Sequence, residues 1–345
     1  MLIGFLRRRL RRLYRARDIA VSYISYWLSF LRSPHQVIST WINGEELRPR
    51  VAVFVHFDID GAVQPFVLDY LKALNAHGFS VIFVTNSGRL DKAAQAALKQ
   101  DCAAVLVRRN VGYDFGAMRD GLRHAALPRA NTEMVLVAND SVYGPLADMG
   151  PMFQRIDFAR ADVWGATESY QNRYHLQSFF LVAGRTALAS TAWAEFWRSV
   201  RPVRSKLWVI SRYEVGMTQS LMKSGLRCAA IYPYKELVAR IDPSSLVATE
   251  KDAPEEADPF VANRKTHLAR ILYAASHRLP LNPTAELWRQ LLQSGFPFLK
   301  RELLRDNPAG VIDVADWRPQ TDVLFKADLT LIEHDLQRVL RDRAP

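Results

Sequence analysis

The sequence predicts an α/β fold in which a mostly parallel sheet is covered by helices on both faces. Apolar runs of strand length recur at residues 51–55, 81–84, 103–107 and 134–138, rich in Val, Ile, Leu or Phe. Segments with helical spacing separate them. The runs are continuous rather than alternating, which marks strands buried on both faces, and parallel sheets are built that way.

Taken in order, Val51 to Val55 reads as the first strand. Pro65 to His77 has helical spacing, with Phe66, Leu68, Leu71 and Leu74 as its apolar set. Val81 to Val84 is the second strand, Lys92 to Lys99 a helix and Ala103 to Val107 the third strand. Ala117 to Ala126 is helical and Met134 to Ala138 is the fourth strand. Beyond residue 150 the pattern loosens. Short strands are expected at Asp162 to Ala166, Ser178 to Ala183 and Arg227 to Tyr232. Helices are expected at Thr191 to Val200, Val209 to Lys223 and Thr266 to His277. The acidic, Pro-containing stretch Ala248 to Pro259 reads as an exposed loop.

The chain has 345 residues, of which 49% are hydrophobic and 23% charged. That balance fits a globular protein and argues against general disorder. Two cysteines, Cys102 and Cys228, are too few for a disulfide framework and fit a reducing, cytoplasmic setting. The net charge of +11 is uneven: residues 1–32 hold eight arginines against one acid, Asp18. The run from Ile19 to Leu31 that follows them is too short and too polar to span a bilayer, and no small-residue cleavage site follows it. A basic segment carrying Trp and Tyr suits an anionic membrane surface, which predicts a peripheral protein on the inner face of the plasma membrane. The alternative is a solvated helix packed on the main domain. The basic residues are not interleaved through a nucleic-acid fold, so no nucleic-acid partner is expected.

Candidate chemistry sits where the strands end, because open α/β sheets bind ligands there. The third strand runs into Arg108-Arg109-Asn110-Val111-Gly112-Tyr113-Asp114-Phe115-Gly116, and the fourth into Asn139-Asp140-Ser141-Val142-Tyr143-Gly144-Pro145. Asp140 between two small polar side chains suits a divalent cation (Mg²⁺ or Mn²⁺) holding a diphosphate. Gly112 allows close approach of the backbone, and the Asn110 amide can both donate and accept. Asp114 is a candidate ribose or base contact, or else the N-cap of a helix starting near Phe115. Asp58 and Asn86, at the first two strand ends, are further nucleotide contacts. Without a metal at Asp140, an arginine such as Arg108 or Arg109 would have to compensate the diphosphate. For a base, Glu168 is the first candidate, with Glu214 and His175 as alternatives. Trp164 and Gln177 suit sugar contacts, although a Trp is also at home in a core. Lys300 and Arg301 suit an acceptor diphosphate, or else a helix start packed by aromatics.

A competing pattern begins at Phe57-Asp58-Ile59-Asp60-Gly61. It resembles the nucleophile loop of haloacid dehalogenase-like phosphatases, and Val84-Thr85-Asn86-Ser87 resembles their second motif. The acidic pair that completes their Mg²⁺ site is missing, since the acid after Asp140 is Asp148. A non-catalytic sugar-binding scaffold is the other alternative.

Read together, the motifs resemble the rhamnan synthesis protein F family of bacterial polysaccharide glycosyltransferases. The likeness runs through His56-Phe57-Asp58, Val84 to Ser87, Arg109 to Gly116, Asn139 to Leu146, Trp164 to Glu168, His175 to Phe180, Tyr213 to Gly216 and Gly295 to Glu302. It implies a GT-A-like fold and transfer of a sugar, often rhamnose, from a nucleotide diphosphate donor to a lipid-linked or growing polysaccharide. The order also resembles the inverting glycosyltransferase family 2, implying a single displacement, although Asn139-Asp140-Ser141 has one carboxylate where that metal motif has two. The expected organisation is a basic N-terminal segment (1–48), a GT-A-like domain (49–245) and a mainly helical C-terminal extension covering the site (246–345).

Overall fold

The computed structural model describes residues 16–33, 35–244 and 260–341. Arg7, Arg8, Arg9, Arg11, Arg12 and Arg15, and the loop expected at 248–259, lie outside the described residues.

A strand that the apolar pattern does not announce, β1 (Val37–Ile42), joins the sheet at one edge. Then come β2 (Arg50–His56), β3 (Phe79–Thr85), β4 (Ala104–Arg108) and β5 (Met134–Asn139), the four expected strands, each slightly shifted or extended. The remaining strands are β6 (Val142–Tyr143), β7 (Val163–Ser169), β8 (His175–Leu176), β9 (Phe180–Gly184), β10 (Cys228–Tyr232) and β11 (Leu299–Lys300). Four helices matter for the sheet and its surroundings: α1 (16–28), α2 (Pro65–Ala76), α3 (Lys92–Asp101) and α4 (Tyr113–His124).

Among the described residues the main sheet has nine strands, ordered β1-β4-β3-β2-β5-β9-β7-β10, with β8 on β7. β2 pairs in parallel with β3 and β5, and β3 with β4. β9 is antiparallel to both β5 and β7, and β10 is parallel to β7. The result is a mixed α/β protein with a central, largely parallel sheet flanked by helices and a helical C-terminal region.

Alternation along β2 shows why its sequence is apolar throughout. Ala52 and Phe54 pack into one core with α2, whereas Val51, Val53 and Val55 pack into the other with α4. From β2 the chain runs outward through β3 and β4, then returns to β5 on the other side of β2. The strand order therefore reverses between β2 and β5, at the carboxyl ends marked by His56 and Asn139. That is the switch point at which doubly wound sheets open a crevice.

Three local differences from expectation have physical causes. Helix α4 starts at Tyr113 instead of Ala117, because Gly112 (φ 88°) and Tyr113 (φ 51°) turn the chain sharply after β4. A Cβ at residue 112 would also come within 3.2 Å of Gly116 Cα and 3.3 Å of the Arg201 carbonyl oxygen. The helix expected over Val209 to Lys223 begins as a π-helical turn, Val209–Glu214, before continuing as an α-helix over Val215–Lys223. Finally, β6 and β11 form a separate antiparallel ribbon, pairing Val142 with Lys300 and Tyr143 with Leu299. Gly144 permits the contact: a Cβ there would stand 2.5 Å from the Pro297 carbonyl oxygen. Both cysteines are free thiols. Among the described residues, no helix is long and apolar enough to cross a membrane.

Candidate active site at the sheet switch point

A cleft of about 600 Å³ opens at the switch point. Its floor is the end of β5. Asn139 is buried, and its amide nitrogen donates to Asp114 Oδ2 at 2.8 Å, while its Oδ1 accepts from the Ser141 hydroxyl. Asp140 sits between them, its side chain 14% exposed and lining the cleft. The turn after β5 thus aims three polar groups outward from one strand end.

The second wall is the start of α4. Asp114 lies in the first helical turn, with Gly112 at the N-cap position, so it does not cap the helix; it faces Asn139 across the cleft. Burial, reinforced by the nearby Asp140 charge, pushes the Asp114 carboxyl up to about 6. Asn110 and Gly112 do not line the cleft; Tyr113, Asp114 and Phe115 do. Gly112 is buried and its N–H donates to the Val203 carbonyl at 2.8 Å, while Arg109 and Asn110 are exposed.

The β6–β11 ribbon brings in the third wall. Arg301 Nη1 contacts Asp140 Oδ2 at 3.0 Å and the Asp140 carbonyl oxygen at 2.9 Å, and Nη2 contacts Asp335 Oδ2 at 3.1 Å. Burial works against the guanidinium charge, but Asp140 and Asp335 hold its pKa above the ordinary value. Lys300 Nζ donates to Ser141 Oγ at 2.8 Å and stands 4.5 Å from the Phe179 ring centre. Burial depresses its ammonium, opposed by Glu214, Glu302, Asp114 and Asp140. A cation thus sits within the field of several carboxylates in the wall of the cleft.

The fourth wall carries two of the three base candidates. Glu214 closes the π-helical turn, and its Oε1 accepts from the Ser178 N–H at 3.0 Å and the Ser178 hydroxyl at 2.8 Å. π-Turns inside α-helices often mark functional positions. His175 also lines the cleft, with Nδ1 2.8 Å from the Arg173 carbonyl oxygen. Gln177 lines it too, its Oε1 2.6 Å from Thr167 Oγ1 and its Nε2 reaching Asn282 and Thr284.

Other expected residues lie elsewhere. Glu168 is buried, accepts the Tyr234 N–H at 2.9 Å and is not among the cleft-lining residues. Trp164 is a core residue whose indole N–H donates to the Ala161 carbonyl at 3.1 Å. Asn86 is buried, accepting from Arg108. Arg108 is fully enclosed and also binds Asp120 and the Val111 carbonyl oxygen, so it does not reach the cleft. Asp58 and Asp60 do not converge as a phosphatase pair. Asp58 Oδ1 accepts the N–H groups of Asp60 and Ala62 and its Oδ2 meets Arg338 at 3.2 Å, whereas Asp60 is exposed beside Arg89. Sequence reasoning missed Asn282, Thr284 and Lys206 on the cleft. Nothing in their local sequence signals it, because chain crossings bring them there.

Among the described residues, no three His, Cys, Asp or Glu side chains converge as a cation cage. A cation of the magnesium class bound through substrate phosphates needs only one or two protein carboxylates. Asp140 fits that lesser demand: Arg301 engages its Oδ2, and its Oδ1 has no hydrogen bond among the described residues.

Comparison with known proteins places the chain. It is 28% identical over 273 residues to the virulence protein VirA of Vibrio anguillarum, covering 78% of this chain and 83% of that one. It is 24% identical over 192 residues to the uncharacterized protein y4gN of Sinorhizobium fredii, covering 54% of this chain and 50% of that one. Among solved structures, a mannosyltransferase from Pyrobaculum calidifontis in complex with GDP-Man and Mn²⁺ aligns over 96% of this chain and 97% of that one. The identity is 11% and the TM-score 0.32, too low to bear on function. The model of the rhamnan synthesis protein F family matches residues 81–264, more than half of the sequence and nearly all of the sheet from β3 onward. The chain therefore belongs to the rhamnan synthesis protein F family.

Proposed function

We propose that this protein is a glycosyltransferase that moves a sugar, rhamnose or another deoxysugar, from a nucleotide diphosphate donor to a lipid-linked or growing cell-surface polysaccharide, with inversion at the anomeric carbon. Family membership supports the class of reaction. The observation that carries the rest is the convergence of Asp140, Lys300, Asp114 and Glu214 on one cleft at the sheet switch point.

Sugar transfer needs a held diphosphate, help for its departure and a base for the acceptor hydroxyl. Lys300 and Arg301 offer positive charge to the departing diphosphate, with Ser141 and Asn139 orienting the groups around it. A divalent cation held by Asp140 would add to the same neutralisation. Asp114 and Tyr113 face the nucleotide half of the donor, and Gln177 offers its amide to the sugar hydroxyls. Glu214 is the base: it lines the cleft, the two Ser178 donors fix its orientation, and its Oε2 has no hydrogen bond among the described residues. The same proposal sets the protein on the inner face of the plasma membrane, with residues 1–32 toward anionic lipid.

A melting-temperature panel of nucleotide sugars, with and without Mg²⁺ or Mn²⁺, tests the assignment. A true donor at one hundred times its Kd should add about 2.7 kcal/mol of apparent stability. If no nucleotide or nucleotide sugar moves the transition, the assignment fails. With a donor in hand, Glu214→Gln should lower kcat by roughly 10²–10⁴-fold while leaving donor binding intact.

A further inference from the structure

Helix α1 is amphipathic in the inverted sense. Its small polar side chains point inward: Ser22, Ser25 and, just past the helix, Ser29 are buried, Ser22 Oγ lies 2.8 Å from Ser205 Oγ, and Ser25 Oγ accepts the Arg204 N–H at 2.8 Å. Its apolar side chains point out, with Ile24 57%, Trp27 67% and, just past the helix, Leu31 84% exposed. A helix packed on a soluble domain normally does the reverse. The placement is firm, because Tyr26 stacks on Trp208 with ring centres 4.4 Å apart and Arg32 Nη1 donates to the Pro202 carbonyl at 3.1 Å. A contiguous apolar stripe held open to water signals a partner.

Beside this helix lies a second cavity, of about 550 Å³, between the end of α1 and the helix Thr191–Ser199. Its lining contains Arg32, Arg119, Arg123, Arg198 and Arg201 and no carboxylate, Arg119 being paired behind the wall with Asp120. Arg201 is stacked 4.0 Å from the Phe30 ring centre. Arg123 and Arg198 have no hydrogen-bond or ion-pair partner among the described residues. Unspent guanidinium groups at Arg123 and Arg198, between the apolar walls of Leu122, Leu127, Trp193 and Trp197, suit a phosphate group with hydrocarbon attached to it.

We propose that α1 is an in-plane membrane anchor and that the adjoining arginine-lined cavity seats the headgroup phosphate of an anionic lipid. The charge is complementary: residues 1–15, immediately before the helix, contain six arginines and no acid. Trp and Tyr are the side chains that favour the headgroup boundary. With no membrane-crossing helix among the described residues, the contact is lateral. The segment from Val200 to Trp208 that receives α1 continues directly into the π-helical turn carrying Glu214. Lipid contact is therefore one chain segment away from the cleft wall. This inference rests on the membrane-surface part of the proposed function and is independent of sugar transfer.

The test is co-sedimentation of the full chain with phosphatidylcholine vesicles, with and without phosphatidylglycerol, in the absence of nucleotide. Binding should require the anionic lipid and weaken in high salt. Replacing Ile24, Trp27 and Leu31 together by Ser should lower binding roughly tenfold or more. Arg123→Ala with Arg198→Ala should lower binding to the anionic vesicles by about tenfold or more, leaving the weaker preference carried by residues 1–15. An unchanged melting temperature would show that both variants fold. If the arginine variant binds like the parent, or if inorganic phosphate at millimolar concentration fills the cavity and blocks vesicle binding without any lipid preference, the headgroup site is overturned while membrane association stands. No sedimentation with either vesicle, or a concentration-dependent dimer abolished by the serine variant, overturns the anchor itself. A donor-induced melting shift in the same preparation would leave the transferase assignment untouched.

Discussion

Two cationic clusters flank the carboxyl ends of the sheet, and they are built for opposite purposes. Under α4, Arg108 is 0% exposed and spends its guanidinium on Asp120, Asn86 and the Val111 carbonyl. Across the switch point, Lys300 and Arg301 sit on the cleft wall, bonded to Ser141 and Asp140 but lining open space. The first cluster ties the β4–α4 turn to the sheet. The second leaves positive charge within reach of a ligand. An arginine enclosed away from any cleft, with every partner inside the protein, has nothing left to offer a diphosphate, whatever its position in a motif.

The largest expected effect lies in the enclosed cluster. Arg108→Met leaves buried acceptors unpaired and should cost about 3–5 kcal/mol in urea unfolding. A cost under about 1 kcal/mol would erase the contrast between the clusters. Next, Lys300→Met should weaken nucleotide diphosphate binding by roughly tenfold to a hundredfold, the worth of one charge-assisted hydrogen bond, while unfolding stability changes by less than about 1 kcal/mol; calorimetry and denaturation on one sample decide it. If stability collapses and affinity does not, the second cluster is structural as well.

Asp114→Asn gives a smaller, pH-dependent effect. The folded carboxyl titrates at about 6, above its ordinary 3.8. A raised carboxyl binds its proton more tightly when folded. Its contribution is therefore neutral below the unfolded pKa, and destabilisation grows as pH rises through 4 to 6. The variant should gain little at pH 4 and about 3 kcal/mol at pH 8, a trend that thermal melts across that range would expose. The smallest effect belongs to Arg109→Ala: its exposed side chain should alter neither stability nor donor affinity beyond about 0.5 kcal/mol.

The parallel core was legible because its strands are buried on both faces, so Val51–Val55 and Met134–Ala138 stand out as unbroken apolar runs. β1 was not, since most of its residues are exposed and its apolar content is diluted by Ser and Thr. Asp140 and Asp114 were readable as cleft residues because the end of a parallel strand is a geometric rule. The ordering of the base candidates was not: Glu168 and Glu214 look alike in sequence, and only the packing of β10 and Tyr234 turns Glu168 away from the cleft. Lys300 and Arg301 were nominated as ligand contacts, yet their meeting with Ser141 and Asp140 spans about 160 residues of chain and leaves no periodic trace. It also lies outside the segment matched by the family model.

The short β6–β11 ribbon has a consequence for how the molecule is made. Its two strands are separated by more than 150 residues, so closing it is slow compared with pairing neighbours. The parallel half of the sheet can assemble while the chain is still being synthesised, N-terminal end first. The binding crevice comes last, completed when Leu299 and Lys300 dock on Tyr143 and Val142. A nascent chain stopped before residue 299 would carry the carboxylates of this cleft without Lys300 and Arg301 beside them.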